Sequence, residues 1–443
     1  MISITPKRRG YFFAIWPFGV LTWLVLSNTV DVPYLDQWES FVPVIERYYS
    51  SQLTLHDLWS QGNGEARVFF PRLVMIALAG LTNWNIIAET CVNLILMLLC
   101  LLFLLKEIRG ASPPPGREPI VLFNGFALLL FSLTQWENWT WGWQMTTSMN
   151  LLAGMAALSL LSRTPRPSSV MTAVAAGVVA TYSFAAGLSL WIIGAILLII
   201  AVRETPRARP FLGFWLVMSA MVISTYFLEY HKVEKHPSLL VAIHHPIVFL
   251  QYVLIFLGSP MAYPHPILSL VVGAFGAGLF LWFMRSALAE RPIQVSSRFF
   301  LSLGLYAIMN AVVAGIGRVG FGANQACSSR YIVFGQLLWV ANFYFVWRIL
   351  QGGAHPRFQR MGLKFLCLAL VPLFIAGNHT GYLLMKYRTR LLQAAVLEIR
   401  SGKLDGPASS QVFPPTNVRT AREWIGVLRH RHLSLFWDAP NQP

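Results

Sequence analysis

The chain has 443 residues, of which 56% are hydrophobic and 12% charged, with a net charge of +16. A soluble domain carries about twice that charged fraction, so composition excludes an ordinary soluble protein, and repeated apolar runs near 20 residues predict an all-α polytopic membrane protein. In that setting the excess of Lys and Arg reads as basic cytoplasmic loops and not as a nucleic-acid surface.

Lys7, Arg8 and Arg9 place the N-terminus in the cytoplasm. The run that follows is long enough to span and lacks a small-residue cleavage site, so it is read as a span (11–28) and not as a cleavable signal. The stretch 31–72 comes next, reading DVPYLDQWES at its start and NGEARVFFPR at its end. Between these pieces, Phe41, Val44, Ile45 and Tyr48 recur at helical spacing, which suits a helix lying on the membrane surface. The apolar run 68–81 is about 14 residues and contains Pro71 and Arg72, marginal for a span; 86–105 is full length. If both crossed, the basic segment KEIRGASPPPGR would face outward, against the positive-inside rule. The first is therefore expected on the outer surface and only the second across the membrane.

Further spans are expected near 119–133, 146–161, 169–184, 188–202, 211–228, 266–284, 299–316, 331–347 and 365–384, giving about 11 in all. The run 247–257 is too short to count. Trp136, Trp139, Trp141 and Trp143 read as an outer aromatic belt. This topology puts about 18 Lys and Arg inside against seven in the short outer loops, namely Arg47, Arg67, Arg72, Lys232, Lys235, Arg318 and Arg330; the exception is the tail from Lys386, with about nine, which would sit outside because terminal segments translocate largely regardless of charge. Residues 1–385 then form the transmembrane core, with a first outer loop at 29–85. Residues 386–443 form a small extracytoplasmic tail, amphipathic over 387–399 and helical again near 417–428, too small to bury a core alone.

Three of the four cysteines lie in apolar runs, so neither a disulfide framework nor a cysteine metal site is expected. His231, His236, His244, His245 and His265 cluster in one region without a tight ligand spacing, and no metal or other cofactor is expected. Asn138-Trp139-Thr140 fits a glycosylation acceptor, which matters only in a eukaryotic secretory setting.

The ionisable residues gather on the outer face. Asp36 is flanked by Tyr34 and Trp38, and an aromatic surround would desolvate its carboxylate and suit it to general-base work. It also stands where a helix N-cap would. Glu39 lies one helical turn on, and Asp31 is a rival near the end of the first span. Glu65 and Arg67 precede the surface helix, and an arginine there could hold a phosphate or reach for lipid headgroups. In and beside the loop GRVGFGANQACSSRY, Gly315, Gly317, Gly320 and Gly322 allow close backbone approach near Arg318 and Arg330, a pattern suited to an anionic group. Tyr331 and Trp38 complete the candidate binding set.

The order of these parts, together with VPYLDQWESF, GNGEARVFFPRL and RVGFG with SSRY, resembles the GT-C class of polyprenyl-phosphate-sugar-dependent glycosyltransferases and a group of bacterial membrane proteins placed near it. The resemblance covers most of residues 1–385 in organisation and is motif-specific only in those three pieces. It implies a multi-pass protein of the bacterial inner membrane with its active site facing the periplasm. The donor would be a polyprenyl-phosphate-linked sugar and the acceptor a glycan, lipid or protein. It also implies an acid of the first loop as base, best matched by Asp36, and arginines on the donor phosphate, best matched by Arg67 and Arg330. The chain departs from better-known members in having Asp-Gln-Trp-Glu instead of adjacent acids, and in its small C-terminal part. A lipid-linked glycan polymerase or ligase would use similar arginines; a transporter would need charges deep in the spans, where this sequence has few.

Overall fold

A computed structural model describes residues 6–61, 66–109, 120–233, 236–290, 292–351, 356–414 and 418–438, with side chains from Trp16 onward. The described residues are helical and contain no strand. In chain order the helices are α1 (Pro6–Asn28), α2 (Asp36–Tyr49), α3 (Leu55–Trp59), α4 (Phe69–Thr82), α5 (Ile86–Arg109), α6 (Ile120–Leu130), α7 (Trp136–Thr140), α8 (Met145–Leu161) and α9 (Pro167–Thr181). They continue as α10 (Leu188–Glu204), α11 (Arg209–Phe227), α12 (Val241–His244), α13 (Pro246–Ala262), α14 (Pro266–Ala289), α15 (Val295–Arg318), α16 (Ile332–Gln351), α17 (Arg357–Arg400) and α18 (Val418–His430).

Eight of these segments are long and apolar enough to cross a membrane: α5, α6 extended through α7, α10, α11, α14, α15, α16 and α17. Each coincides with an expected span. The other three expected spans are α1, α8 and α9, of which α8 has 17 residues and α9 has 15. At 1.5 Å per residue α9 rises only about 22 Å, short of a typical hydrocarbon core. The 14-residue α4 is likewise too short to qualify. The chain is an all-α, multi-pass membrane protein.

One large apolar cluster holds the bundle together. At one end of the bundle, ion pairs join neighbouring helices: Glu107 of α5 with Arg163 after α8 at 2.8 Å, Glu204 of α10 with Arg298 of α15, and Glu290 after α14 with Arg348 of α16 at 2.8 Å. These ends carry the basic residues that the sequence assigns to the cytoplasm.

A second, separate core lies at the opposite end, and it is composite. Val32, Trp38, Phe41, Ile45 and Met75 of the first loop interleave with Leu392, Ile399, Phe413, Ile425 and Leu428 from the end of the chain. Neither partner is large enough to bury such a core alone. The two are also tied by polar contacts. Leu35 N–H donates to Val412 O at 2.8 Å, Ser434 N–H donates to Asn83 O at 2.8 Å, and Arg431 pairs with Glu46 at 3.1 Å.

The link between the cores is α17, one unbroken helix of 44 residues and about 66 Å. The sequence reading divides it into a span ending near 384 and a separate amphipathic piece. The helix is continuous because its buried stripe never changes period: Gly377, Gly381, Met385, Arg388, Leu392, Ala395 and Ile399 recur at steps of three and four. The lower part of the stripe meets the bundle at close range. A Cβ on Gly381 would collide with Leu133 O, and Asn378 accepts from Leu133 N–H at 2.7 Å. The upper part forms one wall of the second core.

Candidate functional site

The candidate residues fall into separate groups. Asp31 works as a joint. Its Oδ1 accepts from Ile86 N–H, the first amide of α5, at 2.9 Å, and from the Ser434 hydroxyl at 3.1 Å. It therefore satisfies an open donor at a helix start and ties the tail to it. Burial raises its pKa above the ordinary 3.8, opposed by those two hydrogen bonds and by Arg400.

Arg67 is a clasp. Its Nε donates to Tyr226 O at 2.7 Å, Nη1 donates to Trp59 O at 3.1 Å and Nη2 donates to Leu228 O, while the guanidinium lies 3.8 Å from the Trp59 ring centre. All three acceptors are main-chain carbonyls at the ends of α3 and α11. Arg72 does similar work, with Nη1 donating to Leu58 O at 2.9 Å and to Ser60 O at 2.5 Å. Trp38 is fully buried, packed on Phe413 at 4.8 Å and on Trp424 at 6.4 Å. Glu65 lies outside the described residues.

The two arginines of the glycine-rich loop diverge. Arg318 turns toward His236, 3.4 Å away, and Phe321. Arg330 faces the other way, and its main-chain N–H donates to Glu137 Oε2 at 3.3 Å. That carboxylate also accepts from the Ser329 hydroxyl at 2.6 Å, so it caps the turn leading into α16. Tyr331 is buried against Phe256, and its hydroxyl accepts from Gln325 at 3.1 Å.

Asp36 opens α2 and is exposed, while Glu39 one turn later is half-buried. Asp36 and Glu137 both lie near enough to Arg330 to act on its charge. The structure thus brings together Asp36 of the first loop, Glu137 of the tryptophan segment and Arg330 of the glycine-rich loop, residues nearly three hundred positions apart in sequence. Asp31, Arg67, Trp38 and Arg318 are engaged elsewhere.

A fourth residue joins this group that sequence reasoning missed. Arg388 of α17 is 4% exposed, and its guanidinium lies 3.9 Å from the Tyr34 ring centre, 5.6 Å from Trp136 and 5.7 Å from Trp141. Glu137 and Arg330 act on its charge. The signal that could have found it is a lone arginine on the apolar stripe of α17; it is hidden in sequence among Lys386 and Arg390, which point outward.

The tryptophans are not a lipid-facing belt. Trp139 and Trp141 are buried, and their indole N–H groups donate to Ser132 O at 2.9 Å and Tyr34 O at 3.1 Å. Trp136 donates to the Tyr263 hydroxyl at 3.0 Å. Asn138 is buried too and donates to Gln135 and to Arg330 O, so it is not placed as a glycosylation acceptor. Below it, Asn93 donates to Asn138 O and accepts from Ser148, which fixes the floor of the group by hydrogen bonds.

No protein-family model matches the chain, nor does any curated protein or solved structure. The functional reading therefore rests on geometry. Among the described residues no three His, Cys, Asp or Glu side chains converge to hold a metal. What converges is an exposed carboxylate, a half-buried arginine, a capping carboxylate and an aromatic wall, at the seam between the helical bundle and the second core.

Proposed function

We propose that the chain is a membrane glycosyltransferase of the GT-C type, moving a sugar from a polyprenyl-phosphate donor to an acceptor hydroxyl on the outer face of the bacterial inner membrane. The observation that carries this reading is the gathering of Asp36, exposed at the head of α2, with Glu137 and Arg330, where Glu137 Oε2 accepts from the Ser329 hydroxyl and the Arg330 amide and both acids act on the Arg330 charge. An acid and an arginine at the membrane boundary supply the two functions that sugar transfer from a lipid phosphate requires.

In this reading Asp36 accepts the proton of the acceptor hydroxyl as its oxygen bonds to the anomeric carbon. The bond from that carbon to the phosphate oxygen breaks, and polyprenyl phosphate departs with the electron pair. Arg330 offsets the charge gathering on the leaving phosphate. Asp31 is poorly suited to the base role, because one of its oxygens already holds the start of α5 and the tail. Glu39 lies on the same helix one turn further in, where it can bias the charge of Asp36. An apolar crevice between α6, α14, α16 and α17, lined by Leu128, Phe275, Trp339, Phe343 and Phe374, supports a donor carried on a lipid chain.

The test uses membranes carrying the full chain, supplied with polyprenyl-phosphate-linked sugars labelled in the sugar. The readouts are liberated polyprenyl phosphate and label in a new acceptor. Asp36→Asn is expected to lower turnover by about 10²- to 10⁴-fold while the protein remains folded. Equal turnover in Asp36→Asn and the parent chain would overturn the assignment.

A further inference from the structure

Arg388 presents a physical problem that the proposed chemistry does not require. Its Nε, Nη1 and Nη2 are all buried, and none has a hydrogen-bond partner among the described residues. Three aromatic rings surround the cation but accept no conventional hydrogen bond from it. A buried charged group without hydrogen bonds is strongly unfavourable. Glu137, the acid that acts on its charge, has one oxygen engaged by the Ser329 hydroxyl and the Arg330 amide. The residues around Arg388 form a floor with an open side: Tyr34, Trp136, Glu137 and Arg330 are half-buried and Asp36 is exposed. A second guanidinium, that of Arg330, stands close enough to raise the cost further.

We infer that Arg388 and Arg330 together form an oxyanion site for a phosphate monoester, with Arg388 as its floor. A group with three terminal oxygens can accept from two guanidinium groups at once, which a single carboxylate does less well. The rings of Tyr34, Trp136 and Trp141 hold the Arg388 plane in place before the ligand arrives, so little is lost in ordering it. The site takes its second arginine from α17, the helix that also lines the apolar crevice below. This inference deepens the transferase reading by assigning the leaving polyprenyl phosphate, a monoester once the sugar has gone, to a particular pair of residues, and it stands or falls by binding alone.

Purified full-length protein in detergent is titrated with inorganic phosphate, with farnesyl phosphate and with farnesol. Thermal unfolding and the fluorescence of the tryptophans beside Arg388 are followed. Farnesyl phosphate is expected to raise the melting temperature and change the fluorescence, whereas farnesol does neither. A matching response to inorganic phosphate identifies a site for the phosphate itself; a response to farnesyl phosphate alone identifies a lipid-borne phosphate. Arg388→Met is expected to weaken farnesyl phosphate binding by about ten- to a hundredfold. Without ligand, the same variant is expected to melt no lower than the parent, because it removes an unpaired buried charge. Arg388→Lys keeps the charge but not the fork and is expected to recover only part of the binding.

The inference is overturned if farnesol acts as well as farnesyl phosphate, if neither phosphate probe binds the parent, or if Arg388→Met binds like the parent. A ligand-free Arg388→Met that melts well below the parent would mark the arginine as structural and would also overturn it. Loss of sugar transfer in Asp36→Asn with phosphate binding intact leaves this site standing, so the two readings fail separately.

Discussion

At Asp31 and Asp36, two carboxylates of one short loop meet different surroundings. Asp31 is drawn into the seam between α5 and the tail, where Ile86 N–H and the Ser434 hydroxyl occupy one oxygen and the other is buried without a partner. Burial raises its pKa, so the folded chain binds this proton more tightly than the unfolded chain does. Stability from this group therefore falls as pH rises from about 3.8 through the folded pKa, and then levels off. Asp31→Asn keeps an acceptor oxygen for both donors and removes the charge. It is expected to match or exceed the parent's melting temperature at pH 7, with less loss between pH 4 and pH 7 than the parent shows; a variant that melts below the parent at pH 7 would contradict this. Asp31→Ala leaves Ile86 N–H without its acceptor and is expected to cost about 1–2 kcal/mol.

Among the elements, α17 decides where everything else sits. It touches the bundle through glycines and the second core through larger apolar residues, and the change from one to the other occurs at Arg388. At Gly381 there is no room for a Cβ beside Leu133 O, whereas at Gly362 on the same helix nothing lies within 4 Å. Gly381→Ala must therefore push α17 away from the turn at Leu133–Gln135, with an expected cost of about 1–3 kcal/mol. Gly362→Ala is expected to be neutral or to stabilise by up to about 1 kcal/mol. Thermal unfolding of the two variants side by side checks the contrast; equal melting temperatures would show that the close approach is absent.

The helices of the first loop were legible in the sequence as helices. The expected helix at 68–81 is α4, and the amphipathic run at 39–50 lies within a turn of α2, because short length, Arg72 and loop charge all argued the same way. The division of α17 was not legible. A mid-chain fall in hydropathy looks like a helix end, and only the unbroken stripe from Gly377 to Ile399 reveals that the helix leaves the bundle and continues. The tryptophan belt misled for a related reason. Indole groups at a membrane boundary look alike in sequence whether they face lipid or, like Trp139 and Trp141, face hydrogen-bond acceptors inside the fold. The roles expected of Arg67 and Trp38 depend on contacts with α11 and the tail, more than 150 residues away.

At the scale of the whole molecule, the first loop and the end of the chain build one structure, and the functional group forms where that structure rests on the bundle. Four segments meet there: the head of α2, the tryptophan turn, the start of α16 and the middle of α17. Each is fixed by contacts of its own, so the group is held by both cores at once. Three arginine clusters on this side compete as phosphate sites: Arg330 with Arg388, Arg67 with Arg72, and Arg318 with His236. In the second, all three nitrogens of Arg67 and Nη1 of Arg72 already meet main-chain carbonyls, leaving Arg72 Nε as its one buried unpartnered donor. The most direct measurement is an experimental structure of the full chain with a non-transferable polyprenyl-phosphonate sugar. The account predicts the phosphonate between Arg330 and Arg388, with the sugar turned toward Asp36. Phosphonate density at Arg67 and Arg72, or at Arg318 and His236, would contradict it.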